Sequence, residues 1–162
     1  MEVVSATSDA CLESARTAVE IGVDRLLGGT NVEEMLAVLQ GTGIAYFPFP
    51  GRPRGHPARL CGDAAEIAAD CRRSESLGCA GVDLLAYRAE DADPLELVRA
   101  ARAALAGELI VAGSIDTSAR VRALAEAGVD AFTIGSAAFD GSFSPRKGSL
   151  RSRLRDILAA CA

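Results

Sequence analysis

With 162 residues, 49% hydrophobic and 24% charged, the chain can bury one sizeable core and is read as a single domain over residues 1–162. A net charge of -5 at pH 7 argues against nucleic-acid and anionic-membrane partners, which favour basic surfaces. Five cysteines lacking any C-x-x-C pair and a lone histidine fit reduced thiols in a cytoplasmic protein and exclude a His-rich metal centre, while no apolar run approaches the roughly 18 residues of a membrane helix.

Along the chain, β-prone runs alternate with helical patterns, as expected of βα units around a parallel sheet. The first run is Glu2–Ala6, whose Glu2 is expected to point inward as a buried carboxylate with a raised pKa, a candidate catalytic group. Arg25–Gly28 follows a helix stopped at Gly22, and Asn31 with Glu34 supplies the next N-cap and its acid. After the third run, Ile44–Phe49, the stretch from Pro48 to Arg59 is predicted to be irregular; it holds three arginines, Arg52, Arg54 and Arg59, and the lone His56. Asp63 with Glu66 then opens a helix that Gly78 stops. Val82–Tyr87 is the fourth run and ends beside Arg88. Asp93-Pro94 with Glu96 opens the next helix and leads to Leu109–Ala112. Val121, Leu124, Ala125 and Gly128 have helical spacing before the sixth run, Ala131–Gly135.

One phrase recurs as Gly22-Val23-Asp24, Gly81-Val82-Asp83 and Gly128-Val129-Asp130. Each copy is read as the turn between a helix and the next strand, so all three acids are expected to be turn and cap residues at strand N-termini.

Ligands of βα folds bind beyond the strand C-termini, which directs attention to the residues just after each run. The last two runs end in Gly113-Ser114 and Gly135-Ser136. Glycine admits a close anion, serine adds a hydroxyl, and backbone N–H groups complete a phosphate cup. A single Gly-Ser would be an ordinary strand end; the pair on successive units points to phosphate binding.

The stretch V-A-G-S-I-D-T through A-L-A-E-A-G-V-D-A-F-T-I-G-S-A, about residues 107–140, resembles the closing units of the ribulose-phosphate-binding type of (β/α) TIM barrel, which includes phosphosugar isomerases, decarboxylases and aldolases. The resemblance implies that Gly113, Ser114, Gly135 and Ser136 hold a substrate phosphate. Ala112 stands where many relatives have a first glycine. Counting back from the closing units makes the six runs strands 3–8 of an eight-stranded barrel of roughly 250 residues. The expectation is thus an incomplete or open barrel of six βα units, from an internal start or as a natural homo-oligomer that covers its exposed strands.

The remaining candidates follow from that frame. His56 is a general acid or base, or an ordinary surface residue, on a lid carrying Arg52 as a substrate ligand. Tyr87 is a second substrate contact, and Arg88 either grips an anion or pairs with Glu90 or Asp91. Lys147, the only lysine, lies after the last run and beside Arg146, which disfavours a Schiff-base aldolase. No cofactor is called for, and carboxylate-bound Mg²⁺ is the one metal the sequence admits. The reading is an isomerase or lyase acting on a small phosphorylated sugar or acid. Its alternative is a non-catalytic phosphometabolite sensor resembling the glycerol-phosphate-responsive antiterminators, with Gly28-Gly29-Thr30-Asn31 and Ala112-Gly113-Ser114-Ile115 in similar parts.

Overall fold

The computed structural model describes residues 1–3, 7–144 and 148–161; Arg146, Lys147 and the end of the first predicted run lie outside the described residues. In chain order the elements are β1 (Glu2–Val3), α1 (Ser8–Ile21), β2 (Arg25–Gly28), α2 (Val32–Leu39), β3 (Ala45–Phe47), β4 (Arg52–Arg54) and β5 (Arg59–Cys61). There follow α3 (Ala64–Ser76), β6 (Gly81–Leu84), a 3-10 turn (Ala86–Arg88), α4 (Pro94–Ala104), β7 (Glu108–Val111), α5 (Ser118–Glu126), β8 (Ala131–Phe132), α6 (Ser136–Asp140) and α7 (Leu150–Ala159).

Strands β1, β2 and β3 pair in parallel, as do β6, β7 and β8. The Ala80 N–H donates to the Tyr46 carbonyl at 3.0 Å and the Asp83 N–H to the Pro48 carbonyl at 2.9 Å, joining the two sets. The parallel strands therefore run in chain order. Among the described residues no strand pairs with the outer edge of β1 or of β8, so the sheet is not a closed barrel.

Alternation along the strands separates two faces. Val82 and Leu84 of β6 and Leu109 and Val111 of β7 are fully buried in the large core with Ile67, Leu97, Val98 and Leu124 from α3, α4 and α5. Leu26 and Tyr46 point the same way, into the smaller core under α1 and α2. The opposite face carries Leu27, Phe47 and Ile110, which form a separate inner cluster with Ala45 and Ala131.

Local chemistry accounts for most boundaries. The Asp63 and Asp93 carboxylates each accept the N–H three residues on, from Glu66 and Glu96, both at 2.9 Å, and Gly22 ends α1 in the left-handed region at φ 73°. Asn31 occupies the N-cap of α2 without capping it; its amide instead donates to Ser8 at 2.9 Å. The stretch expected to be irregular is an antiparallel hairpin, with Arg52 opposite Cys61 and Arg54 opposite Arg59. Leu60, 1% exposed, roots it in the large core and bridges Ala89, while among the described residues the outer edge of β4 pairs with nothing, which explains why Pro53 is tolerated.

The Gly-Val-Asp repeat divides. Asp24 and Asp130 do precede β2 and β8, and the Asp130 carboxylate accepts the Leu109 N–H at 2.8 Å and Arg102 at 2.7 Å. Asp83 is not a turn residue. In its copy the helix has already stopped at Gly78, so Gly81 opens β6 and Asp83 lies inside the strand.

Candidate active site

The strand C-termini meet in a cavity of about 310 Å³. It is lined by Gly113 and Ser114 after β7, Gly135 and Ser136 after β8, Arg88 after β6, and Glu2 on β1. The structure thus brings together both predicted Gly-Ser turns and two of the other candidates. A neighbouring hollow shares Glu2 and Arg88 and adds Gly29, Thr30 and Asn31 after β2 and Arg54 of the hairpin. Residues from both ends of the sheet line one cleft, so the sheet has curled around it.

Backbone geometry singles out the turn after β7. Gly113 and Ser114 have φ of 78° and 56°, and Ser114 is the sole non-glycine in the left-handed region among the described residues. That conformation costs a non-glycine residue about 1–2 kcal/mol and persists only where neighbours hold it. Arg120 is the neighbour here. Its guanidinium donates to the Ser114 carbonyl at 2.5 Å and to Asp116 at 2.8 Å, and it stacks on Tyr87 at 4.7 Å. Tyr87 is thereby occupied in bracing the turn, half-buried, with burial raising its hydroxyl pKa.

Gly113 is required by what passes over it. A Cβ there would lie 2.3 Å from Arg88 Nε and 2.8 Å from Cδ, so the missing side chain is the space in which Arg88 lies. Arg88 has no carboxylate partner among the described residues, and its only hydrogen bond is to the Ala58 carbonyl, at 3.4 Å. The anticipated pairing with Glu90 does not form: Glu90 faces Arg59 instead, at 3.6 Å. A guanidinium with no ion pair among the described residues thus lies on the wall of a cleft that also carries the two Gly-Ser turns, Glu2 and Asp116.

Arg52 and His56 fall elsewhere. Arg52 is ion-paired with Glu66 at the start of α3 and does not line the cleft. His56 is exposed in the hairpin turn, while Pro53, Arg54 and Gly55 form the adjoining wall. Glu2 is exposed rather than buried, because it opens an edge strand whose outer side pairs with nothing described. No group of three or more His, Cys, Asp or Glu side chains among the described residues could hold a metal ion.

The residue that sequence reasoning missed is Asp83. It is 0% exposed, and among the described residues neither carboxylate oxygen has a hydrogen-bond partner. Burial pushes its pKa up to about 8, the negative charge of Glu2 adds to the rise, and Arg88 opposes it. A signal did exist in the spacing. Asp83 lies five residues after the helix-stop Gly78, as inner-face Leu27 lies five after Gly22.

No family model and no curated protein sequence matches the chain. Its structure is similar to TIM-barrel-type proteins. It superposes on a crystal structure of a putative deoxyribose-phosphate aldolase from Coccidioides immitis with a TM-score of 0.65 and 19% identity, over 99% of this chain and 64% of that one. The Amycolatopsis orientalis BexX/CysO complex gives 0.63 and 18%, over 99% and 65%. A mandelate oxidase mutant with benzaldehyde gives 0.62 and 18%, over 98% and 54%. The chain spans less than two thirds of the length of each of these structures. At such identities the likeness concerns the fold. Among the described residues no helix is long and apolar enough to cross a membrane.

Proposed function

We propose that the chain holds the phosphate of a small phosphorylated sugar or acid between Gly113-Ser114 and Gly135-Ser136, and performs isomerase or lyase chemistry by acid/base catalysis on the carbon skeleton beside it. The parallel strands correspond, on this reading, to strands 3–8 of an eight-stranded barrel of the ribulose-phosphate-binding type, in which the closing units carry the phosphate. The aldolase among the structural neighbours is named for a phosphorylated sugar, which agrees with that substrate class.

The observation that carries the reading is Arg88. A guanidinium without a carboxylate partner, lying across Gly113 and facing the cavity of both Gly-Ser turns, is short of one anion. Phosphate supplies it, with the turn N–H groups and the Ser114 and Ser136 hydroxyls completing the shell. The test is titration with inorganic sulfate, followed by amide NMR. Shifts should centre on Ser114 and Ser136, and Arg88→Gln should weaken binding at least tenfold, the loss expected of a charge-assisted hydrogen bond at about 1.5–3 kcal/mol. Shifts confined to the hairpin, or equal affinity in the variant, would refute the assignment.

A further inference from the structure

The phosphate cleft occupies the C-terminal ends of the strands, and the outer wall near their opposite ends carries a second feature. A groove of about 630 Å³ runs between α5, β8 and α7. Val121 and Leu124 of α5, Phe132 of β8, Ile134 just after it, and Leu154 and Leu158 of α7 line this groove. Asp130, immediately before β8, lines it as well, so the groove reaches the N-terminal end of that strand. Leu154 and Leu158 are exposed, which leaves an apolar hollow facing solvent of the kind that marks an interaction surface.

The other end of the sheet has the matching shape and sign. A helix in a βα unit returns the chain to the start of the next strand, so the last turn of α1 lies at the N-terminal end of β2. Met1 lies at the same level, its amino group donating to the Arg25 carbonyl at 2.8 Å. Met1, Val19 and Ile21 are all exposed there. Along α1 the exposed Asp9, Glu13 and Glu20 follow helical spacing and form one acidic ridge, with Arg16 the only base on the helix. The sign reverses on α7, where Arg151, Arg153 and Arg155 face a single acid, Asp156. None of Asp9, Glu13, Glu20, Arg151 and Arg155 makes an ion pair among the described residues.

We propose that the groove between α5, β8 and α7 receives the α1 edge of a second copy of this chain, with Val19 and Ile21 against the groove and the acidic ridge of α1 facing the arginines of α7. Charge decides how the copies are arranged. Groove against groove would set the arginines of one α7 against those of the other, and α1 against α1 would oppose two acidic ridges, each at a cost. Ridge into groove matches both apolar surface and sign. The two patches differ, so the contact is head-to-tail, and an assembly built on it closes into a ring or continues as a filament. The contact lies on the outer wall and is independent of the phosphate reading.

The test is light scattering across a range of protein concentrations, with thermal melts confirming that each variant is folded; the substituted residues are exposed, where replacements are well tolerated. Reversal of α1 by Glu13→Arg with Glu20→Arg, and reversal of α7 by Arg151→Glu with Arg155→Glu, should each raise the dissociation constant at least about tenfold, as attraction across several ion pairs turns to repulsion. Mixing the two reversed proteins in equal amounts should restore the wild-type mass, because each then offers the other a ridge and a groove of opposite sign. Ile21→Gln and Leu158→Gln should weaken association without affecting each other's partner charges. Hydrogen exchange of the wild type at low and high concentration needs no variant, and the protection gained with concentration should fall on α1, α5 and α7. A wild type that stays monomeric, a mass that the α1 reversal leaves unchanged, a mixture that fails to reassemble, or protection gained only outside these helices overturns the proposal.

Discussion

Replacing Gly113 with alanine adds one methyl group to the turn on which the site depends, and its effects separate into two parts. The backbone stands at φ 78°, where a Cβ costs about 1–2 kcal/mol; for a chain of this length that is a fall of about 2–8 °C in Tm. The methyl would also lie 2.3 Å from Arg88 Nε, so the guanidinium must leave the cavity wall. Losing its charge-assisted contact with the anion should weaken sulfate binding by about 1.5–3 kcal/mol, or tenfold to a hundredfold. Gly128→Ala is the matched control. That glycine has φ 79°, and its nearest neighbours are Arg102 carbons at 3.5 Å. It should lose similar stability in a thermal melt and keep its affinity in sulfate titrations. Equal sulfate binding by Gly113→Ala and the wild type, or equal losses in the two variants, would refute the role given to Arg88 over Gly113.

Two further outcomes follow from the fold. Because the pKa of Asp83 rises from 3.8 to about 8 on folding, the folded state binds more protons than the unfolded chain between those values, so the residue's contribution to stability falls as pH rises through that window and levels off above it. Urea unfolding should therefore show Asp83→Asn gaining on the wild type between pH 4 and pH 8, and a constant difference across that range would contradict the buried neutral acid. Self-association is the second outcome: among the described residues nothing pairs with the outer edges of β1 and β8, and Ile21, Phe139 and Leu158 are 66%, 70% and 69% exposed, surface that a partner copy would cover. Light scattering at micromolar concentration should report a mass above one chain, and a monodisperse monomer would count against it.

The alternation of β-prone runs with capped helical segments was sufficient to anticipate the parallel architecture, because each boundary rests on local chemistry. Asp63 and Asp93 cap their helices and Gly22 stops one, all through groups within a few residues. What escaped were features set by distant partners. The stretch around His56 looked irregular because proline and glycine dominate it, yet Leu60 buried against the core draws it into a hairpin. Asn31 has the chemistry of a cap, but Ser8, 23 residues away in sequence, takes its amide.

At the site, the Gly-Ser turns were visible because a strand end, a glycine and a serine recur twice in adjacent units. The cavity joins them to Arg88 and Glu2, both already candidates, whereas Arg52 was lost to Glu66, a pairing that sequence order does not announce. Asp83 was hidden by a motif that is real but shifted. The same three letters, Gly-Val-Asp, serve as a turn at residues 22–24 and 128–130 and as strand at 81–83, since only the middle copy follows a helix stop that comes three residues earlier, at Gly78. A strand residue alternates between faces with period two, so the shift that moves this aspartate into β6 decides whether it is solvated or sealed inside. At Asp83 it places the carboxyl on the inner face in register with Ile110. The frame of a repeat is therefore better counted from the glycine that ends the helix than from the letters that recur, and counted so, the carboxylate at an apolar inner position stands out as a departure from the alternation.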